Sequence, residues 1–285
     1  MDVQCCSVNG KGFADAKKIQ KIISWSDADT TYFKIKGEKL YDTQGNILFH
    51  SDDSILAKIK EKCNFVLEKK EVGSGVDILQ EYVVHKHLEI NPNLILGSGI
   101  FSLKGDEVSS LHLFENENEI LKPYYTAEQI KRYTICEKNK KWILYTDKSV
   151  CDAIDSYPHI KKHLDQYADI ITSANAPYGL HRPRKIEQFT GTKILSLRMT
   201  KRPCFTYSNI DTFVTRAYLT IKPQKSVSMK YLTALFNSNL FYYWLFYNGK
   251  RKGKQLQIDQ AQIVELPIFI PDVEIIDVIS EKFDL

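Results

Sequence analysis

The stretch YGLHRPRKIEQFTGTKILSLRM, residues 178–199, runs from a cationic loop into a strand. Gly179 and Pro183 favour turn and extended backbone over helix, and His181, Arg182, Arg184 and Lys185 crowd into five positions around Pro183. Residues 193–199 form a short apolar run of strand length. On the C-terminal side, residues 212–221 read as another strand. Ser228 reads as the cap of a long helix that Gly249 ends, and residues 262–270 read as a final strand before Pro271. On the N-terminal side, Pro158 opens a helix at its first turn, where its missing N–H costs nothing, and Ile160, Leu164, Tyr167 and Ile171 follow at helical spacing. Residues 142–145 read as a strand and 128–133 as a short helix.

Further upstream the texture is different. Gly73-Ser74-Gly75 and Gly97-Ser98-Gly99 punctuate short β-like runs at residues 76–84, 94–96, 100–103 and 111–114. Before them lies a helical and hairpin lead-in. Ile19, Ile22 and Ile23 fall at helical spacing. Residues 32–36, a turn at Gly37-Glu38 and Leu40-Tyr41 read as a hairpin. Ile55, Leu56, Ile59 and Cys63 predict an amphipathic helix behind a cap at Asp52 or Asp53. The expected class is therefore α+β: a helical and hairpin lead-in over 1–72, a β-rich part over 73–121 and an alternating helix-and-strand part over 122–285.

The 285 residues are 43% hydrophobic and 26% charged, which excludes a disordered or fibrous chain and is enough for a core without staples. No apolar run approaches the ~18 residues that span a bilayer, and the N-terminus shows no basic segment followed by an apolar one. Cys5, Cys6, Cys63, Cys136, Cys151 and Cys204 match neither a disulfide framework nor a zinc site. Reduced thiols in a cytoplasm are expected, with no membrane partner.

Catalytic signatures are weak throughout. Both Gly-x-Gly turns precede β-like sequence, whereas a nucleotide or methyl-donor loop precedes a helix. Asn175-Ala176-Pro177-Tyr178 resembles the Asn-Pro-Pro-Tyr motif of amino-methylating DNA methyltransferases, but no methyl-donor region precedes it, so it reads as a decoy. Asp53 with Glu68-Lys69-Lys70 is a chance-level match to a metal nuclease. His159 and His163 lie one helical turn apart without a third ligand, and His85 and His87 alternate as if on one strand face. No catalytic or metal residue is assigned, and the chain alone is expected not to be an enzyme.

The charge is more informative. Lys and Arg total 39 against 35 Asp and Glu, a net +4. Residues 181–202 carry His181, Arg182, Arg184, Lys185, Lys193, Arg198, Lys201 and Arg202 against the single acid Glu187, and residues 250–254 read Lys250-Arg251-Lys252-Gly253-Lys254. The rest of the chain is net acidic. Two concentrated cationic segments on loops held out by proline and glycine suit a polyanion. The bland reading of any one cationic loop is solvated surface, and Glu187 could neutralise one arginine internally. If the segment around Pro183 is extended, Arg182 and Arg184 project to one side. The aromatic run 241–247 could stack on bases, but a helix apolar on nearly every side reads as core.

Five stretches, in order, carry a family resemblance from Ile55 to Pro267 and just beyond. They are residues 59–78 with Val72-Gly73-Ser74-Gly75-Val76; Leu121-Lys122-Pro123-Tyr124-Tyr125 with Ile130-Lys131-Arg132-Tyr133; Tyr157-Pro158 to Leu164; Tyr178-Gly179-Leu180-His181-Arg182-Pro183-Arg184 to Lys193-Ile194; and Leu235-Phe236-Asn237-Ser238 with Leu266-Pro267-Ile268. Together they resemble the TaqI-like specificity domain, the target-recognition region of adenine-specific DNA methyltransferases and type IIG restriction-modification enzymes. Tyr178 stands where that family usually has Trp, and Gly75 lacks the usual Thr partner.

The resemblance implies an irregular β-rich N-terminal part and a C-terminal α/β part. It implies duplex DNA as partner, together with a methyltransferase domain, in cis or as a separate subunit, that binds S-adenosylmethionine. No cofactor is expected in this chain. Residues 1–72 would then be the lead-in from that domain and 73–285 the recognition domain. The residues expected at DNA are His181, Arg182, Arg184, Lys185, Arg198, Lys201 and Arg202, with Lys250, Arg251, Lys252 and Lys254 on phosphates. An RNA-binding module and a protein-interaction domain stay open as alternatives.

Overall fold

The computed structural model describes residues 2–8, 14–39 and 54–283. The strand Lys193–Leu197 is the axis of the fold. Antiparallel partners flank it, Tyr218–Ile221 on one side and Phe205–Ser208 on the other, and Val72–Ser74 extends the sheet beyond Tyr218–Ile221. The first four residues of the strand are fully buried, because both faces of the sheet are covered. Ile194, Phe205, Leu219 and Ile221 point into one core, against Leu232, Phe236, Phe241 and Leu245 from two helices. Leu195 and Tyr218 point into a second core, built around Ile143, Leu144, Leu164, Phe189 and Phe213. Period-two alternation thus divides one strand between two cores. Each fully buried Leu, Ile or Phe contributes about 1.5–3 kcal/mol, so this sheet is where burial concentrates.

The second core rests on a smaller antiparallel sheet, with Lys141–Leu144 between Ser102–Lys104 and Leu121–Tyr124. Helix Pro158–Asp165 covers it through Ile160 and Leu164. Proline removes one unpaired N–H from the first turn of that helix. Glu117, fully buried, accepts the next two from His159 and Ile160 at 2.7 and 3.1 Å, and its other oxygen meets His159 Nδ1 at 2.7 Å. Burial alone would raise the Glu117 carboxyl. The backbone donors and His159 overcome that and hold it below the usual range. His163 Nε2 bonds the Ile100 carbonyl at 2.9 Å. Both histidines of this helix therefore have structural partners, and among the described residues no cluster could hold a metal ion.

The class is α+β, and among the described residues every strand ladder is antiparallel and no sheet closes into a barrel. Helices Ala16–Ile23 and Ser54–Glu61 lie where the periodicity places them. The strand Thr30–Lys36 forms, but it pairs with Asp2–Val8; Leu40-Tyr41 and the caps at Asp52 and Asp53 lie outside the described residues.

Several local expectations give way to tertiary bonds. Residues 128–133 are not a helix. Tyr133 adopts φ +76°, donates its N–H to the Phe205 carbonyl at 2.8 Å, and Thr206 Oγ1 bonds the Lys131 carbonyl, so the edge of the main sheet captures this backbone. His85 and His87 sit on helix His85–Ile90 rather than a strand, with His87 Nδ1 accepting the Val84 N–H at 3.1 Å. Gly105–Leu111 is also helical, because Glu107 takes the N–H groups of Gly99 and Lys104. Residues 94–96 and 112–114 are outside any strand. Only Tyr218–Ile221 of 212–221 is strand, and 262–270 opens instead with helix Gln260–Val264, capped by Asp259 and Gln262.

The long helix expected over 229–249 is two helices, Met229–Phe236 and Asn239–Asn248. Asn237 makes the break. Its Oδ1 accepts from Phe205 N at 3.0 Å and from Arg132 Nε at 3.3 Å, its Nδ2 donates to Phe205 O at 2.7 Å, and its own carbonyl takes Arg132 Nη2. Ser238 then caps the second helix on Phe241 N. One 1%-exposed amide therefore ties the helices to the sheet edge and to the loop bearing Arg132.

Asn237→Ala removes these side-chain bonds and leaves Phe205 N–H buried without a partner. A loss of about 2–4 kcal/mol is expected, read as a lower denaturation midpoint with an unchanged slope. A loss below about 1 kcal/mol would show that the helix break is held by other groups.

Candidate nucleic-acid interface

The two cationic segments meet in a third small antiparallel sheet. Strand Met199–Thr200, continuing the axis of the fold, pairs with Gln255–Gln257, which pairs with Lys250–Lys252. Leu256 anchors this hairpin in the helix core at 3% exposure, while Lys250, Arg251, Lys252 and Lys254 are exposed. Arg251 lies opposite Leu256 and rests its guanidinium on the Phe246 ring, 4.4 Å from the centroid. Arg202 does the same over Tyr242 at 4.8 Å and bonds Asn239 Oδ1 at 3.2 Å. The aromatic run is core only at Phe241 and Leu245. Tyr242, Tyr243, Trp244 and Phe246 are half-buried and Tyr247 is exposed, so the expectation of a fully buried helix fails. Its outer face carries arginines.

The residues around Pro183 reach the same sheet by another route. Arg182 exchanges backbone hydrogen bonds with Asp77 at 3.0 and 3.2 Å. The carboxylate of Asp77 pairs with Arg216 at 3.2 Å, and the Arg216 carbonyl accepts from Arg198 Nη1 at 3.4 Å. Arg198 Nη2 in turn pairs with Asp259. Burial pushes the Asp259 carboxyl up, but hydrogen bonds from Arg198 and Gln257 and the nearby charges of Arg198 and Lys250 bring it below its ordinary value. Arg182, Arg216, Arg198 and the hairpin thus follow one another through a continuous set of contacts. Arg216 was missed in the sequence because it is a lone arginine in a neutral stretch.

Arg184 departs from the extended geometry expected of it. Its φ is +70°, and its carbonyl accepts from Tyr145 Oη at 2.6 Å, so the simple alternation of sides does not carry through from Arg182. Neither Arg182 nor Arg184 makes an ion pair among the described residues, and Glu187 neutralises neither. Both side chains are exposed, as are Lys185 and Lys201. His181 is half-buried, and its Nδ1 accepts the Ala174 N–H at 3.2 Å.

Lys193 is a different case. It is fully buried, and its amine donates to the carbonyls of Gly191 and Ile210 at 2.7 and 2.6 Å. It closes a loop and contributes nothing to the cationic surface. Asn175 is also structural: Nδ2 holds the Leu180 carbonyl at 2.7 Å and shapes the turn ahead of His181. At Gly75 an added Cβ would stand 2.0 Å from the Thr215 carbonyl oxygen, so this glycine permits close backbone approach instead of cradling a ligand.

The fold is built on antiparallel sheets, one of which gathers the cationic segments. The chain belongs to the family of TaqI-like C-terminal specificity domains, whose match covers residues 122–268, just over half its length. Among solved structures it is similar to the type IIL restriction-modification enzyme MmeI in complex with DNA, at 12% identity and a TM-score of 0.50, over 89% of this chain and 31% of that one. It also matches the type IIG restriction endonuclease BpuSI at 13% identity and a TM-score of 0.43, over 99% of this chain and 35% of that one. The chain therefore spans about a third of the length of these proteins. No curated protein matches it.

Burial pushes the Lys193 amine down to about 7, with Asp211 opposing the shift, whereas an unfolded lysine titrates near 10.4. Between those values the unfolded chain binds the extra proton, so this residue adds stability as pH rises from about 7 to about 10. The stability difference between the wild type and Lys193→Met should shift in favour of the wild type across that window. A pH-independent difference in denaturation midpoint would show that the amine titrates normally.

Proposed function

We propose that this chain recognises duplex DNA as the specificity domain of a restriction-modification enzyme acting with an adenine-specific methyltransferase. The observation that supports this most directly is the pairing of Met199–Thr200 with the 250–257 hairpin, which gathers two cationic segments distant in sequence. Lysines and arginines there would neutralise phosphates and release counterions, giving affinity without sequence preference. The half-buried aromatics under Arg202 and Arg251 restrain those guanidinium groups, so less side-chain freedom is lost on binding. His181, Arg182, Arg184, Lys185, Arg198 and Lys201 complete the proposed surface. Arg198 is the least available, since Asp259 already neutralises it.

In this reading residues 73–285 form the recognition domain and residues 1–72 lead to a cytoplasmic methyltransferase domain, in the same polypeptide or a partner subunit. S-adenosylmethionine belongs to that domain. Gly73 lies in strand Val72–Ser74 and Gly75 directly after it, where an added Cβ would meet Gln188 and Thr220 at the first and the Thr215 carbonyl at the second, so both glycines serve close packing. In this reading recognition belongs to this chain and methyl transfer to the other domain.

Duplex binding should fall steeply with salt, with log K against log salt sloping at about −4 to −5 for 4 to 6 phosphate contacts. Replacing Lys250, Arg251, Lys252 and Lys254 together by Ala should flatten that slope by about 3–4 while leaving thermal stability close to wild type, because all four are exposed. An unchanged slope would remove the hairpin from the interface, and preference for RNA in competition would redirect the reading to an RNA module. Supplied with S-adenosylmethionine and duplex DNA, the purified chain should transfer no methyl group. Stoichiometric transfer would overturn the division of labour.

A further inference from the structure

Arg216 occupies the tip of the turn that leads into strand Tyr218–Ile221, and its backbone is fixed from several directions. Its N–H donates to the Val76 carbonyl at 2.8 Å, the Arg198 N–H donates to the neighbouring Ala217 carbonyl at 3.0 Å, and Tyr218 N closes the turn on the Thr215 carbonyl at 3.0 Å. Its side chain is 66% exposed, yet it is tethered to a carboxylate that is almost completely buried, Asp77 at 7%. The tether uses one nitrogen: Nη1 reaches Asp77 Oδ1 at 3.2 Å and Oδ2 at 3.4 Å. Nε and Nη2 make no hydrogen bond among the described residues. They are adjacent, coplanar donors on a largely exposed side chain, the fork that matches two acceptors side by side.

The other arginines of this surface differ in that respect. Arg198 commits Nη2 to Asp259 and Nη1 to the Arg216 carbonyl. Arg202 and Arg251 stand over aromatic rings. Arg182 and Arg184 have no carboxylate to orient them and suit diffuse phosphate contact. Only at Arg216, within this group, is an exposed donor fork combined with a rigid turn and a buried orienting acid.

We propose that Arg216 reads a guanine in the major groove, through its O6 and N7 acceptors, with Asp77 as the positioning residue that aims the fork. This rests on the duplex-DNA reading above and names a residue that determines specificity within it. A bidentate arginine distinguishes guanine from the other bases by both acceptors, whereas a phosphate contact would require only its charge.

The test is selection of bound duplexes from a randomised pool by the full chain, followed by affinities for the selected sequence and its single-base variants. The wild type should select a sequence with a fixed G·C pair that Arg216→Lys relaxes, with discrimination at that pair falling by about tenfold to a hundredfold and the salt slope unchanged. Asp77→Asn, which keeps the side-chain shape, should relax the same pair and no other. Thermal melting of both variants separates this from unfolding, and Arg216→Lys preserves the charge and lies on an exposed site. If Arg216→Lys keeps the wild-type selection, or Arg216→Ala weakens all duplexes uniformly with the slope reduced by about 1, Arg216 is a phosphate contact and the inference fails while the duplex-DNA reading stands. A wild type that selects no sequence overturns the inference in the same way. A wild type that binds no duplex at low salt overturns both.

Discussion

The double-sided burial of the strand Lys193–Leu197 governs how the rest of the chain is arranged. A central antiparallel strand must satisfy its backbone on both edges and cover its side chains on both faces. Here Tyr218–Ile221 and Phe205–Ser208 supply the edges, and two separate apolar clusters supply the faces. Because the strand is fixed in this way, the residues that follow emerge at a set place and direction. Arg198 meets Asp259, and Met199–Thr200 accepts the hairpin that carries Lys250 to Lys252. The cationic surface is thus an extension of a strand buried at its first four positions.

Acids pattern that surface as much as bases do. Asp77 and Asp259 each neutralise one arginine, and each is itself held by further hydrogen bonds, Asp77 through its backbone with Arg182 and Asp259 through Gln257 and Gln262. An arginine paired in this way loses little freedom on binding and presents its remaining donors in one direction. An exposed, unpaired lysine or arginine neutralises phosphate over a range of positions. The same net charge therefore divides into oriented and diffuse parts; in the proposed function only the oriented part would carry sequence information.

The segment over residues 73–121 shows how carboxylates organise irregular backbone. Glu117 gathers the Phe114 N–H and two N–H groups of helix Pro158–Asp165, and Glu107 gathers those of Gly99 and Lys104. Asn237 does similar work with an amide, on the Phe205 N–H and carbonyl and on the Arg132 side chain. In each case one polar side chain decides which backbone groups become helix ends, and it acts at a distance that propensity cannot see.

The sequence by itself determined the α+β class, the helix opened by Pro158, the strand after Thr192, the clustering of cationic residues and, through five ordered motifs, the specificity-domain family. These are local quantities: period, capping chemistry, charge density and residue order. The tertiary structure alone decided that 128–133 is not a helix, that Asn237 divides 229–248 in two, and that Lys193 is buried and withdrawn from the cationic set. It also brought Arg216 beside Asp77, 139 positions away, and joined residues 199–200 to 255–257. The physical reason is that a hydrogen bond or ion pair between distant segments can outweigh local preferences of less than about 1 kcal/mol per residue, and which distant groups meet is set by how two cores close around one strand.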